Sequence, residues 1–421
     1  MTNHSRHHRA PRALFGAAAL LSLCAWPAIA GAQDNQTPDA VVQQQGVVIS
    51  YLTPNPNPFE RTIMWVGSKI DGRSKGNGGF YPQLGGMING AGLSAGPGFR
   101  HSVFGDRAIV DVSAALSWKR YRAAKAQIEW PELLHDRLSV GAQVTYQDFT
   151  QINFFGIGGD SLESDRTNYR LKDIDTLGFA TVRARTWLTF TGRAGMLRRL
   201  DIEPGTSSVS PPIADRFDEI MAPSLVRQPS YLHADAAMDI DTRDEPGYPA
   251  RGGRYRVSMA AYRDQSFSRY SFRRIEADGA HYIPLGPSVA SVRARLSVSQ
   301  DAMQDVPFYL LPSLGGANSL RGYADYRFRD RDLLMLNAEF RHPISRVVDA
   351  AVFYDAGQVG STIGALTDRL HTDYGVGVRV HSARRMIVRL DVARGSEGTR
   401  ALVSFSQPLG VPNRSVVPYV P

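Results

Sequence analysis

The feature that most limits what this chain can fold into is an alternation of apolar and polar residues with period two. In one segment Val110, Val112, Ala114, Leu116 and Trp118 alternate with Asp111, Ser113, Ala115 and Ser117. Leu138, Val140, Ala142, Val144 and Tyr146 alternate in the same way with Ser139, Gly141, Gln143, Thr145 and Gln147. Near the C-terminus, Tyr374, Val376, Val378 and Val380 oppose Gly375, Gly377, Arg379 and His381. Met386, Val388, Leu390 and Val392 oppose Ile387, Arg389, Asp391 and Ala393. Successive side chains of a strand point to opposite faces, so each segment reads as a β-strand with one apolar and one polar face. Beyond the N-terminal stretch no run reaches the ~18 consecutive apolar residues that a membrane-spanning helix needs, and helical periodicity never lasts beyond a turn or two.

A soluble sandwich also alternates, so strand length, loop pattern and export signal must arbitrate. Segments of ~10 to 12 residues exceed the usual soluble strand and match a tilted strand crossing a bilayer. Sixteen can be counted between Gly79 and Pro408, near residues 79–88, 90–102, 108–118, 120–130, 138–149, 167–184, 186–204, 230–243, 253–264, 269–284, 288–300, 331–342, 347–359, 372–382, 385–394 and 399–408. The links alternate in length. Leu285 to Ser288, His342 to Arg346 and Ser382 to Arg385 are compact, as periplasmic turns are, whereas Thr150 to Asp165, Gly205 to Pro229 and Asp301 to Asp330 have the length of extracellular loops. Trp118, Trp130, Tyr146, Tyr262 and Tyr374 lie near strand ends, where an interfacial girdle would place them. An even number of antiparallel strands can close on itself and leave no backbone amide bare in lipid. The expected fold is therefore all-β, a 16-stranded antiparallel transmembrane β-barrel.

The N-terminus agrees with that destination. Arg6, Arg9 and Arg12 precede an apolar stretch from Ala13 to Ala30 that is too short and uneven to span a membrane, and small residues at Ala28, Ala30 and Ala32 suit signal cleavage. Residues 1–32 read as a signal peptide, with export by a Sec-type route to the outer membrane of a Gram-negative bacterium. Cys24 is the only cysteine and follows the bulky Leu23, which argues against a lipid-anchor site. Without it no disulfide framework, thiolate nucleophile or cysteine-ligated metal remains. The formal charge of +8 counts the three signal arginines and is +5 without them, with Lys and Arg dispersed among acids instead of clustered as a nucleic-acid binder requires.

The loop expected after the eleventh strand carries Gly315-Gly316-Ala317-Asn318-Ser319-Leu320-Arg321-Gly322-Tyr323. This closely resembles the loop signature of the bacterial surface antigen family of BamA/TamA-type assembly and two-partner-secretion barrels, whose core is a hydrophobic residue, Arg, Gly and an aromatic. The resemblance implies that this extracellular loop folds inward and docks Arg321 against acids of the inner wall, Gly315, Gly316, Leu320, Gly322 and Tyr323 shaping it. Alternation supplies the acids. Leu336, Ala338 and Phe340 on the lipid face turn Glu339 inward, and Val352, Tyr354 and Ala356 do the same for Asp355. An ordinary ion pair in a lumen would use the same residues.

The stretch from Asp241 to Gly252 resembles the family's strand-turn motif before the ninth strand, and its prolines and glycines read as a tight periplasmic turn. The final strand, Gly398 to Phe405, loosely fits the pattern by which barrel substrates are recognised. Family members usually carry periplasmic transport-associated modules, whereas only about 45 residues, rich in Gln, Asn and Pro, separate the cleavage site from the first strand. The expected organisation is a signal peptide (1–32), a short periplasmic segment without a full module (33–76), the barrel (77–410) and a tail (411–421).

By this resemblance the protein assists insertion or translocation of a protein or lipid, with outer-membrane lipids and lipopolysaccharide around it and a protein client or separately encoded periplasmic partner. Gly85, Gly86, Gly90 and Gly92 would suit a weakly zipped seam, or merely permit curvature. The alternative is a passive pore in which the loop motif is only structural, with a mixed-charge lumen of Arg379, Arg389, Asp391, Glu339 and Asp355. A barrel hydrolase would need a lipid-facing Ser and His, yet alternation turns His233 and His381 inward, and His101, His281 and His342 fall at strand ends. Gly156-Ile157-Gly158-Gly159 opens no helix. Asp239 and Asp241 have the spacing of any two inward acids. No catalytic residue, cofactor or metal site is expected, nor any nucleic-acid partner.

Overall fold

The computed structural model describes residues 57–64, 78–85, 87–300 and 306–405. The predicted signal peptide, the tail, Gly86 and most of 33–76 lie outside the described residues. A helical turn over 58–64 begins on a reciprocal cap, in which the Asn57 amide donates to Glu60 Oε2 at 2.9 Å and the Glu60 amide to Asn57 Oδ1 at 2.8 Å. No described helix is long and apolar enough to cross a membrane.

From Gly79 onward the chain forms one sheet of sixteen antiparallel strands, each paired with its neighbours in the chain. The strands are β1 (Gly79–Gly85), β2 (Ser94–Val103), β3 (Ala108–Ser117), β4 (Arg122–Leu133), β5 (Leu138–Phe154), β6 (Thr167–Arg185), β7 (Leu188–Pro204), β8 (Tyr231–Asp241), β9 (Gly252–Asp264), β10 (Phe272–Leu285), β11 (Ser288–Gln300), β14 (Asp332–Pro343), β15 (Val348–Gly360), β16 (His371–His381), β17 (Met386–Gly395) and β18 (Gly398–Ser404). Two short strands, β12 (Ser313–Leu314) and β13 (Phe328–Arg329), pair with each other inside the longest link, and Arg329 also bridges to Gly158, whose amide donates to the Arg329 carbonyl at 2.8 Å.

Alternation explains the two faces. Val112, Leu116, Val144, Val257, Met259, Val352, Tyr354, Val376, Leu390 and Val392 are large, apolar and exposed, while their sequence neighbours Asp111, Ser113, Gln143, Arg256, Ser258, Asp355 and Asp391 are buried. That inverts a soluble protein. Water would not tolerate such an apolar face, whereas hydrocarbon would solvate it. Tyr262 departs from the expected girdle, since it faces inward and stacks on Phe272 at 4.5 Å.

One link shows that the sheet curls. Asn318 Nδ2 lies 3.0 Å from Asn89 Oδ1, between β1 and β2, while Arg327 Nε donates to Glu397 at 2.8 Å, between β17 and β18. A flat sheet of sixteen strands would hold those hairpins roughly 70 Å apart. A single β12–β13 hairpin reaches both, so the sheet wraps around it.

Strands β5, β6 and β7 run for 17, 19 and 17 residues, well past the ~10 needed to cross a bilayer. Their far ends are covered on both sides. The Asn168 side chain donates to the Ser210 carbonyl at 2.6 Å and its amide to that of Pro211 at 2.9 Å, while Phe154, Tyr169, Phe308 and Tyr309 pack into a buried aromatic cluster. At the opposite end the turn expected between β8 and β9 is not tight. Residues 242–251 form a longer link that reaches β14, β15 and the β16–β17 turn, because Tyr248 and Gly247 find their partners there and not on β8 or β9.

Candidate functional site

The β12–β13 hairpin is folded by its own backbone. Gly315 and Gly316 hold φ of +110° and +92°, conformations that favour glycine. The Gly316 amide meets the carbonyls of Leu320 and Tyr323 at 3.1 and 3.2 Å, and Ser319 Oγ accepts from the Gly315 amide at 2.8 Å. Leu320 and Tyr323 anchor the hairpin in an apolar cluster with Leu314, Phe328, Leu333, Met335 and Val359. Gly322 permits close approach, since a Cβ there would stand 2.6 Å from Asp373 Cβ and 2.7 Å from the Gly395 amide.

This anchoring presents Arg321 to the inner wall. Its Nε donates to Asp355 Oδ2, its Nη2 to Asp355 Oδ1 and its Nη1 to Glu339 Oε2, each at 2.7 Å. Both acids identified from alternation therefore meet the arginine. All three residues are buried, Arg321 being only 2% exposed. Burial opposes a charged guanidinium, but the Asp355 and Glu339 carboxylates more than offset it and hold the Arg321 pKa above its ordinary value.

The network is wider than those three residues. Arg379 donates to Glu339 Oε2 at 2.7 Å and to Asp391 Oδ1 at 2.5 Å, and Arg389 Nε lies 3.1 Å from Asp391 Oδ2. Asn337 donates to both Asp355 Oδ1 and the Ser319 carbonyl at 2.8 Å. Asp373, opposite Asp355 in the β15–β16 register, adds a further buried carboxylate beside Gly322. Phe353 lies beneath Arg321, its ring centroid 3.4 Å from the guanidinium carbon. Sequence reasoning did not single out Phe353. The available signal was an aromatic at an inward position, two residues before Asp355, on a face otherwise polar.

Further along the hairpin, Arg327 also donates to the Ser161 carbonyl at 2.6 Å, and Arg329 to Tyr169 Oη at 3.1 Å and the Phe308 carbonyl at 2.8 Å. His233 sits inward, with Nε2 2.8 Å from Asp175 Oδ1, and His381 with Nε2 3.1 Å from Asp349 Oδ1. Among the described residues no group of three or more His, Cys, Asp or Glu could hold a metal ion. What the arrangement can do is hold a long loop rigidly against one wall through charge-assisted, dehydrated hydrogen bonds.

The model of the Omp85 superfamily domain matches residues 103–397. Among solved structures, BamA from Haemophilus ducreyi lacking POTRA domains 1-3 is similar at a TM-score of 0.59 and 16% identity, over 78% of this chain and 70% of that one. CdiB from Escherichia coli gives a TM-score of 0.47 at 13% identity over 78% and 59% of the two chains. CdiB from Acinetobacter baumannii gives 0.43 at 14% over 77% and 56%. No curated protein matches the sequence.

Proposed function

The chain belongs to the Omp85 superfamily, whose barrels sit in the bacterial outer membrane, and from that premise we propose that it is a closed barrel assisting insertion or translocation of a protein or lipid there. The observation that carries this reading is the docked hairpin, with Arg321 gripping Asp355 and Glu339 across 2.7 Å contacts. A loop held so firmly keeps the interior filled until something displaces it, a property useful to a translocator and superfluous to a permanently open pore. The hairpin is then a lock, and Gly315, Gly316, Leu320, Arg321, Gly322 and Tyr323 are its working parts.

The sheet supports a second element of the reading, a seam between β1 and β18. Among the described residues these are the shortest strands of the large sheet, seven residues each. Pro82 stands opposite Pro97 in the β1–β2 pair, so neither position has an N–H to donate. An edge this short is cheap to part, and parting it would give a client lateral access to lipid. The partners of this reading are outer-membrane lipid and lipopolysaccharide on the apolar face, and a protein client or periplasmic partner at the mouth. Export through the signal peptide belongs to the same reading, and no catalysis is part of it.

The experiment is quantitative mass spectrometry of the outer-membrane and surface proteome, with lipid composition, in cells with and without the protein. Selective loss of defined barrels, exported proteins or lipids is the expected result and names the client. Unchanged proteome and lipids with altered small-solute uptake would make the protein a passive pore and the hairpin purely structural.

A further inference from the structure

The link between β8 and β9 joins neighbouring strands, a step of about 5 Å that a two-residue turn can make. It nevertheless spends residues 242–251 on the journey. Its course is tied down at each stage. Arg243 bonds back to Asp241 at 2.6 Å, and Asp244 Oδ1 accepts from the amides of Ala250 and Arg251 at 3.0 and 3.2 Å. Ala250 packs with Ala280, Tyr282 and Val289 on the inner face of β10 and β11.

The far point of the link is Tyr248. Its hydroxyl donates to Asp349 Oδ2 on β15 at 2.7 Å, its ring stacks on His381 of β16 at 4.2 Å, and the Arg341 guanidinium of β14 lies 4.0 Å over the ring centroid. Arg341 also donates to the Pro249 carbonyl, and the Met386 amide to that of Gly247 at 3.1 Å. From β9 to β16 is five strand positions, roughly 24 Å along the wall, whereas Tyr248 stands four residues before Gly252 and the backbone between them spans at most about 14 Å, so its ring and the Arg341 and His381 side chains close the rest of the gap. The link therefore runs across the interior side of the sheet to meet those strands. Arg341 and His381 each lie two residues from a member of the Arg321 network, Glu339 and Arg379, on the same face of the same strand.

We propose that residues 242–251 form a latched floor across the interior at the end opposite the Arg321 hairpin, with Tyr248 as the bolt seated on Arg341, Asp349 and His381. The inference rests on the closed-barrel reading. It adds a second barrier in series with the hairpin, one that faces the periplasm and must be unlatched before an occupant can pass that end. Tyr248 suits the task. A phenol combines a flat face for stacking with one hydroxyl that reaches a carboxylate, and a single ring withdrawing breaks contacts to three strands together.

The test is the labelling rate of a cysteine placed just above the floor. Ser291 lies on the inner face of β11, two residues from Val289, and is buried. Cys24, the only native cysteine, is replaced, giving Cys24→Ser with Ser291→Cys. The probe is a bulky, membrane-impermeant maleimide on purified protein, with heat-modifiable migration as the folding control. The expected result is slow labelling of this parent, a rise of about tenfold with Tyr248→Ala, as for loss of a local opening barrier, and a smaller rise with Tyr248→Phe, which keeps the ring and loses the Asp349 bond. Fast labelling of the parent, or rates in folded Tyr248 variants equal to that of the parent, whatever Arg321→Ala does, would overturn the floor. If Tyr248→Ala does not fold, the Tyr248→Phe rate decides. Loss of heat-modifiable migration in the parent itself is a different failure, because it removes the barrel on which the floor rests.

Discussion

Strands β14 to β17 and strands β1 to β4 share one sheet and one alternation, yet they seal their charges to different degrees. On the first wall Glu339, Asp355, Arg379, Arg389 and Asp391 are all buried and bonded to opposite charges. On the second, the central group is the buried Asp111, which accepts from Tyr81 at 3.1 Å and Arg100 at 3.0 Å, with Lys125 at 3.6 Å, but its cations stay open to solvent, the Arg100 side chain being 45% exposed. Pairing differs too. The β14–β15 ladder is unbroken for twelve positions, whereas the β2–β3 ladder skips Gly96 and Pro97. The lesson is that an inner wall becomes rigid where a loop dehydrates both partners of its ion pairs, since a pair whose cation stays in water adds little and a fully buried one is costly to break.

The largest expected contrast comes from removing one arginine from each wall. Arg321→Ala leaves Asp355 and Glu339 short of a buried donor and should cost about 3–5 kcal/mol of unfolding free energy. Arg100→Ala should cost less than about 1 kcal/mol. Urea unfolding in lipid vesicles checks both, and similar losses would erase the distinction between the walls. Phe353→Leu tests the platform beneath Arg321. It should cost about 1–3 kcal/mol through the lost ring–guanidinium contact and poorer packing, with the ion pairs retained.

Backbone exchange sharpens the comparison at a smaller scale. Amides of β1 and β2 should exchange at least about a hundredfold faster than those of β14 and β15, and Pro97→Val should narrow the gap by restoring an N–H. Hydrogen exchange resolved by mass spectrometry would show it, and equal protection at both places would contradict the weak edge.

The smallest effect concerns Asp325, in the turn of the hairpin. Burial, ahead of the opposing pull of Lys119, Arg400 and Arg166, raises its carboxyl above the ordinary pKa. A carboxyl raised in the folded state costs nothing where it is protonated in both states, and costs stability as pH climbs from the unfolded value through the raised one. Asp325→Asn should therefore raise the melting temperature by about a degree or two near pH 7 and leave it unchanged below about pH 4. A gain that persists in acid would point to packing instead.

Much of this architecture was legible because strand formation here is a local matter. The expected segment 288–300 coincides with β11, and 347–359 differs from β15 by one residue at each end, since apolar positions facing lipid leave no ambiguity of period. Gly90 and Gly92, placed in the second strand by their neighbours, fall in the β1–β2 link instead, where positive φ suits them. Arg321, Glu339 and Asp355 could be read from motif and parity. Arg379 could be read as an inward charge but not as a partner of Glu339, and the roles of Phe353 and Tyr248 could not be read, because they depend on which distant segment lies over which strand. The Asp241 to Gly252 stretch is the clearest case. Its prolines and glycines signal a turn, and only tertiary partners on β14 to β16 stretch it into a crossing.

The reach of the hairpin also has a consequence for the order of events during synthesis. Its Asn318 meets a residue 229 positions earlier, and its Arg327 meets one 70 positions later, almost at the last strand. Contacts of such sequence separation close late, after the entropy of the intervening chain has been spent. The hairpin cannot complete its grip until the first and final hairpins have both arrived, so its seating is a record that the polypeptide is entire. A truncated or stalled chain keeps these arginines hydrated and accessible, so a protease would cut its hairpin faster than the seated hairpin of the finished molecule.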